Sequence, residues 1–104
     1  MTEHRVCRVD DLAEHEVRSF HAGPRELVLC LLDGRVCALS AECTHEALPL
    51  AGGGVDDGVV TCPWHGARYD VRTGAVRGLP AVRPLRAFSA RVDDTGVVFV
   101  DPDA

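Results

Sequence analysis

Short runs of apolar and β-branched residues recur about every ten positions along the chain, and turn-forming residues separate them. This spacing is typical of antiparallel β structure. We therefore predict eight strands, at residues 4–9, 16–20, 26–32, 35–39, 58–62, 68–71, 85–92 and 97–100. The one helical candidate, residues 11–17, is short and lacks a wide apolar stripe, so it is assigned to a loop or a single turn.

Three turn sequences predict hairpins between neighbouring strands. Asp33-Gly34 suits a two-residue loop that needs positive φ, and residues 72–74 and 93–96 resemble further hairpin turns. Two longer irregular stretches, residues 40–57 and 78–84, are of the kind that carries function in a compact β domain.

These elements predict an all-β fold in two parts. We expect a base sandwich or partly open barrel built from both chain ends. A smaller subdomain of three or four strands is expected as an insertion between about residues 41 and 82. A chain of 104 residues is long enough for one core, so a single domain over residues 1–104 is predicted.

Composition and charge narrow the classes of partner. The chain is 46% hydrophobic and 26% charged, which is typical of a globular protein, and its net charge of −5 disfavours nucleic acid and anionic lipid. A protein with a basic docking face is the favoured partner. The longest apolar run, residues 27–32, is about a third of a bilayer span, and the N-terminus carries no apolar signal segment. We therefore expect a cytoplasmic protein that does not bind membranes.

Two Cys/His pairs carry the candidate chemistry, one in the irregular stretch 40–57 and one directly after the predicted strand 58–62. Cys43-Thr-His45 is followed, after sixteen residues, by Cys62-Pro-Trp-His65. Each pair lets a tight turn direct two side chains at one metal centre. Tetrahedral zinc on Cys2His2 and a [2Fe-2S] cluster with thiolates on one iron and imidazoles on the other both fit this donor set. The identity of the ligands alone does not separate the two.

The sequence around these pairs resembles the Rieske iron-sulfur family. The resemblance covers most of the chain and rests on the two Cys/His motifs, on Gly66 to Asp70 after the second, on Thr73-Gly74 and on Pro80 and Pro84. It implies a [2Fe-2S] cluster with Cys43 and Cys62 on the inner iron and His45 and His65 on the outer iron. It also implies that residues 78–84 cover a flank of the cluster.

Some positions depart from the pattern of the Rieske proteins of respiratory and photosynthetic complexes. Those proteins carry a disulfide beside the cluster where this chain has Leu48 and Trp64, and a serine hydroxyl where it has Ala67. We expect no such disulfide and a reduction potential that is low for the family. Tyr69 either donates to a ligand sulfur or packs beneath the turn. Trp64 is expected to shield the cluster, with contact to a partner as the alternative.

The resemblance extends to the ferredoxin components of aromatic-ring dioxygenases. It implies a monomeric one-electron carrier, not itself an enzyme, that takes electrons from a flavin-dependent NAD(P)H reductase and passes them to a terminal oxygenase. A Rieske-type small subunit of an NAD(P)H nitrite reductase is the alternative. A structural zinc module in protein interaction is the third hypothesis.

The remaining cysteines and histidines are interpreted as structural. Cys30 and Cys37 face each other if the Asp33-Gly34 loop has two residues, and they are predicted to be reduced packing thiols. Cys7 is expected in a strand without a catalytic role. Histidines at positions 4, 15 and 21 are predicted to lie on the surface, and the arginines at 68, 72, 77, 83 and 86 to form a solvated face.

Overall fold

The computed structural model describes residues 3–42, 49–64, 66–78 and 83–103. In these residues the chain forms strands and a single turn of 3-10 helix, Val9–Asp11, so the all-β prediction is confirmed. The strands are β1 (His4–Arg8), β2 (Val17–Ala22), β3 (Arg25–Leu32), β4 (Arg35–Ser40), β5 (Gly54–Asp56), β6 (Val59–Thr61), β7 (Arg68–Asp70), β8 (Val76–Gly78), β9 (Ala87–Val92) and β10 (Val97–Asp101).

The strands form two antiparallel sheets. A six-stranded sheet has the order β1-β10-β9-β4-β3-β2, and its edge strands β1 and β2 approach each other, so it is nearly closed. A four-stranded sheet has the order β5-β6-β7-β8 and lies in the chain between β4 and β9. This is the predicted two-part architecture, with the smaller sheet inside the expected insertion.

Apolar residues of β3 alternate between two cores. Leu27 and Leu29 face the interior of the six-stranded sheet, where they pack with Phe88 and Val98. Their neighbours Val28, Cys30 and Leu32 face the other way and pack against the four-stranded sheet. The buried residues that they meet there are Val55, Val60, Cys62, Tyr69 and Val71. The second core therefore fixes the smaller sheet onto the outer face of the larger one.

The turn between β3 and β4 shows why the predicted hairpin forms. Asp33 and Gly34 have φ values of 51° and 79°, as a two-residue loop with positive φ requires. The Glu14 carboxylate accepts both of their backbone N–H groups at 3.1 Å. Leu32 then pairs with Arg35, and this register places Cys30 directly opposite Cys37, as predicted.

Strand boundaries differ from prediction where tertiary hydrogen bonds replace the ladder. Strand β9 begins at Ala87, two residues later than predicted, because the Leu85 N–H donates to the Gly74 carbonyl at 2.8 Å. Arg86 still lies in the β4–β9 register, where its carbonyl accepts the Ser40 N–H at 2.9 Å, but its own N–H donates to the Ser40 hydroxyl at 3.1 Å. Strands β5 and β8 were not predicted, since each has three residues and includes a glycine. In the described ranges no helix has the length and apolarity needed to span a bilayer.

Candidate metal centre

Cys62 lies in a tight turn at one end of the four-stranded sheet. It follows β6 directly, and its N–H donates to the Ala67 carbonyl at 2.8 Å across the turn into β7. The Gly66 N–H donates back to the Cys62 carbonyl at 3.2 Å, and Gly66 has a φ of 73°, which favours glycine. The Cys62 residue is only 1% exposed. We call residues 62–67 the second ligand turn.

Four residues close the base of the segment that carries the first Cys/His pair, residues 43–48, which we call the first ligand segment. The Leu50 N–H donates to the Ala41 carbonyl at 2.9 Å, and Glu42 and Pro49 form an antiparallel bridge. The first ligand segment therefore leaves and re-enters the described structure at adjacent backbone positions. Its own residues, among them Cys43, His45 and Leu48, lie outside the described residues.

The base of the first ligand segment lies against the second ligand turn. Gly53 donates its N–H to the Leu50 carbonyl at 2.9 Å, and a Cβ at Gly53 would lie 2.4 Å from the Thr61 carbonyl oxygen and 3.3 Å from Cδ of Pro63. Such a close approach requires glycine. The indole N–H of Trp64 donates to the Pro49 carbonyl at 3.1 Å. Two independent contacts thus bring the two parts together.

A third stretch of chain begins at the same end of the sheet. Gly78, the last residue of β8, pairs with Arg68, which follows the second ligand turn. The guanidinium of Arg68 occupies the space where a Cβ at Gly78 would lie, with Nε and Nη2 at 2.6 Å. The described chain resumes at residue 83, and the Leu85 N–H donates to the Gly74 carbonyl at 2.8 Å. Residues 79–82, part of the predicted flanking loop, are outside the described ranges.

Of the four predicted ligands, Cys62 falls within the described structure, whereas Cys43, His45 and His65 do not. A buried thiol in a turn at a sheet end fits a thiolate ligand, and two thiols with two imidazoles fit both zinc and a mixed-ligand iron-sulfur cluster. The described part of the chain contains no group of three or more His, Cys, Asp or Glu side chains that could form another metal site.

Residues in and beside the second ligand turn differ in how far they are buried. Tyr69 is fully buried in the core between the sheets, which agrees with packing beneath the turn, and Ala67 is buried in the same core. Trp64 is 57% exposed, so much of its ring is open to solvent. The five arginines predicted to form a solvated face are all exposed, and Arg77 pairs with Asp70 at 3.5 Å.

The other cysteines are free thiols, as predicted. Burial raises the pKa of Cys30 to about 12, and the facing Cys37 thiol adds to the shift. Desolvation also raises the pKa of Cys37 and of Cys7, which is half-buried in β1. These groups are therefore neutral near pH 7. His15 and His21 are exposed and His4 is partly exposed, in agreement with the predicted surface positions.

Comparison with known proteins decides between the two metals. Residues 2–89 match the Rieske [2Fe-2S] domain. The chain belongs to the Rieske [2Fe-2S] family. That membership implies a Rieske-type cluster and excludes the zinc module. Among Rieske proteins, the ferredoxin component of biphenyl 2,3-dioxygenase from Rhodococcus jostii (strain RHA1) is 35% identical over 94 residues, which are 90% of this chain and 88% of the relative.

Solved Rieske structures agree with the fold along nearly the whole chain. The ferredoxin of carbazole 1,9a-dioxygenase from Nocardioides aromaticivorans IC177 superposes with a TM-score of 0.92 at 33% identity, covering 98% of this chain and 99% of that one. A chain in the complex of reduced oxygenase and oxidized ferredoxin in carbazole 1,9a-dioxygenase gives 0.85 at 29% identity, covering 95% and 92%. A putative NADH-dependent nitrite reductase small subunit from Mycobacterium tuberculosis, with 0.84 at 21% identity over 94% and 92%, shares the fold alone.

Proposed function

We propose that this Rieske protein is a one-electron carrier of a multicomponent dioxygenase system, a ferredoxin component and not an enzyme in its own right. The observation that carries the proposal is the near-complete length match to ferredoxin components, in a chain whose buried Cys62 lies beside the base of the first ligand segment. A carrier needs a cluster site at one end of a small scaffold, and residues 41–82 supply it as an insertion in a single domain.

The proposed ligands are Cys43 and Cys62 on one iron and His45 and His65 on the other. When bound, a Rieske cluster accepts and releases one electron at a time. The chain's own contribution is to hold the ligands. The backbone bonds within the second ligand turn fix the direction of the Cys62 side chain, and the Ala41–Leu50 bond fixes the two ends of the first ligand segment.

The proposed partners are a flavin-dependent NAD(P)H reductase as electron donor and a terminal oxygenase as acceptor. A related ferredoxin has been solved in complex with its oxygenase, which supports the second of these. The exposed ring of Trp64 and the exposed Arg68 lie at the end where an electron would enter or leave. We expect the carrier to be a cytoplasmic monomer.

Reconstitution tests the proposal. The purified holoprotein should contain two irons and two acid-labile sulfides per chain as a [2Fe-2S] cluster requires, and it should pass electrons from a flavin reductase to the oxygenase of a biphenyl-type system. Omitting the ferredoxin is the control. A protein that is reduced by the reductase but is not reoxidised by any ring-hydroxylating oxygenase, and that copurifies with a large nitrite reductase subunit, would contradict the carrier assignment.

A further inference from the structure

The indole of Trp64 connects two parts of the molecule that are anchored in different sheets. Trp64 lies in the second ligand turn, between β6 and β7 of the four-stranded sheet. Its hydrogen-bond acceptor, the carbonyl of Pro49, belongs to the base of the first ligand segment. A contact between these two parts affects their spacing directly, because it acts at the points from which both Cys/His pairs extend.

The Pro49 end of this contact is held by the six-stranded sheet. Pro49 is bridged to Glu42, two residues beyond the end of β4. The end of β4 is fixed in turn, because the Ser40 N–H donates to the Arg86 carbonyl at 2.9 Å and the Ser40 hydroxyl accepts the Arg86 N–H at 3.1 Å. The acceptor for the indole is thus part of a hydrogen-bonded frame.

The Trp64 end is less enclosed. Trp64 as a residue is 57% exposed, so burial of apolar surface contributes only part of what holds its ring. The directional N–H bond at 3.1 Å therefore has a large share in fixing where the ring lies. Proline has no backbone N–H, so the carbonyl is the group that Pro49 offers for a hydrogen bond.

We propose that Trp64 is a positioning residue for the cluster, whose indole N–H holds the second ligand turn at a fixed distance from the base of the first ligand segment. The proposal rests on the ligand set given under the proposed function but not on the identity of the electron-transfer partners. Loss of the bond widens the range of ligand spacings and speeds release of the cluster, without removing any ligand.

The chain has one tryptophan, so the N–H can be removed at a single atom by biosynthetic replacement. Benzothienylalanine keeps the shape of the ring but replaces the N–H by sulfur, and 7-azatryptophan keeps the N–H as the matched control. Trp64→Phe is the genetic counterpart. Ser19→Ala removes a different exposed side-chain hydrogen bond, that of the Ser19 hydroxyl to Glu26 at 2.9 Å, far from the ligand segments in the chain.

Two measurements on the holoproteins test the proposal. Cluster release into a chelator, followed by visible absorbance, should be about five-fold faster for Trp64→Phe and for benzothienylalanine, as the loss of one ordinary hydrogen bond implies. Release from the 7-azatryptophan protein and from Ser19→Ala should match the wild type. The EPR signal of the reduced cluster should broaden only for Trp64→Phe and for the benzothienylalanine protein. The width of the signal reports variation in ligand geometry, which would not change if Trp64 had a merely structural role.

Wild-type release and an unchanged EPR signal with benzothienylalanine would overturn the proposal, whatever Trp64→Phe does, because the ring alone would then suffice. A wrong ligand assignment gives a different result. If Cys62→Ser retains its full iron and sulfide, the proposed function fails at the ligand set, whereas the Trp64 replacements should keep full cluster content when freshly prepared.

Discussion

Gly74 and Gly34 form a matched pair that separates steric conflict from backbone conformation. Both have a φ of 79°. An alanine at either position therefore takes on the same unfavourable left-handed conformation, which costs about 1 kcal/mol. At Gly34 nothing lies within 4 Å of the added Cβ, whereas at Gly74 the carbonyl oxygen of Leu85 lies at 2.1 Å.

The Gly74→Ala conflict involves backbone and cannot be relieved by a side-chain rotation. The Leu85 carbonyl must retreat to beyond 3.0 Å, the closest that real Cβ atoms approach. That movement disrupts the Leu85 N–H bond to the Gly74 carbonyl, worth about 1 kcal/mol. It also disturbs the packing of Leu85, which is 3% exposed, by a comparable amount of about 1 kcal/mol. We expect a total near 3 kcal/mol.

Thermal and urea unfolding of the holoproteins, followed by circular dichroism, provide the assay. Gly34→Ala should lower the midpoint temperature by about 5 °C and Gly74→Ala by about 15 °C, given about 4–8 °C per kcal/mol for a domain of this size. Leu85 directly follows residues 78–84, the stretch expected to cover a flank of the cluster. Gly74→Ala should therefore also release the cluster faster than Gly34→Ala does. Equal midpoint losses in the two variants would refute the steric argument.

Three further predictions concern the cysteines and one turn. Cys62→Ser should lose iron and acid-labile sulfide, because it replaces a thiolate by a hard, poorly matched donor, whereas Cys37→Ser, outside the ligand set, should retain both by elemental analysis. Among the three cysteines outside the ligand set, maleimide labelling of the native protein with peptide mass spectrometry should modify Cys30 last, after Cys7 and Cys37. Because burial raises the pKa of Cys30 to about 12, its stabilising contribution should decline as pH rises above about 9. A constant unfolding free energy in that pH range would contradict this. Asp93→Asn should lower the urea midpoint at pH 7, since hydrogen bonds from Val97 and Thr95 depress the pKa of the Asp93 carboxylate. The difference in midpoint from the wild type should shrink as pH falls through that depressed pKa. A difference that grows in acid would contradict this prediction.

The sequence predicted those parts of the fold in which local pattern and tertiary packing agree. The apolar run of β3 and the Asp33-Gly34 turn predict the hairpin and even the pairing of Cys30 with Cys37. Strands β5 and β8 were not predicted, because a run of three residues that includes a glycine is too short to show the two-residue hydrophobic period of a strand. They become strands only through the pairing that β6 and β7 offer.

The same limit applies to the candidate site. The Cys/His spacing predicted the four candidate ligands, since donor types and short spacings are local properties. It left zinc and an iron-sulfur cluster open, and only the resemblance to the Rieske family favoured the cluster. The acceptor of the Trp64 N–H was not predictable, because it lies 15 residues away and depends on how the two sheets meet. The close approach of Gly53 to Thr61 was likewise not predictable, because it too depends on tertiary packing. Only the run of three glycines at 52–54 indicated a crowded backbone there.

The bonded base at Ala41–Leu50 has a consequence for how such a protein changes over evolution. Because backbone bonds that involve no ligand join the two ends of the first ligand segment, the register of β4 does not depend on what lies between them. Substitutions, insertions or deletions within 43–48 that spare Cys43 and His45 can alter the surroundings of a cofactor while the frame keeps its strand pairing. The redox properties and the partner preference of the carrier are thus open to selection largely independently of its folding stability.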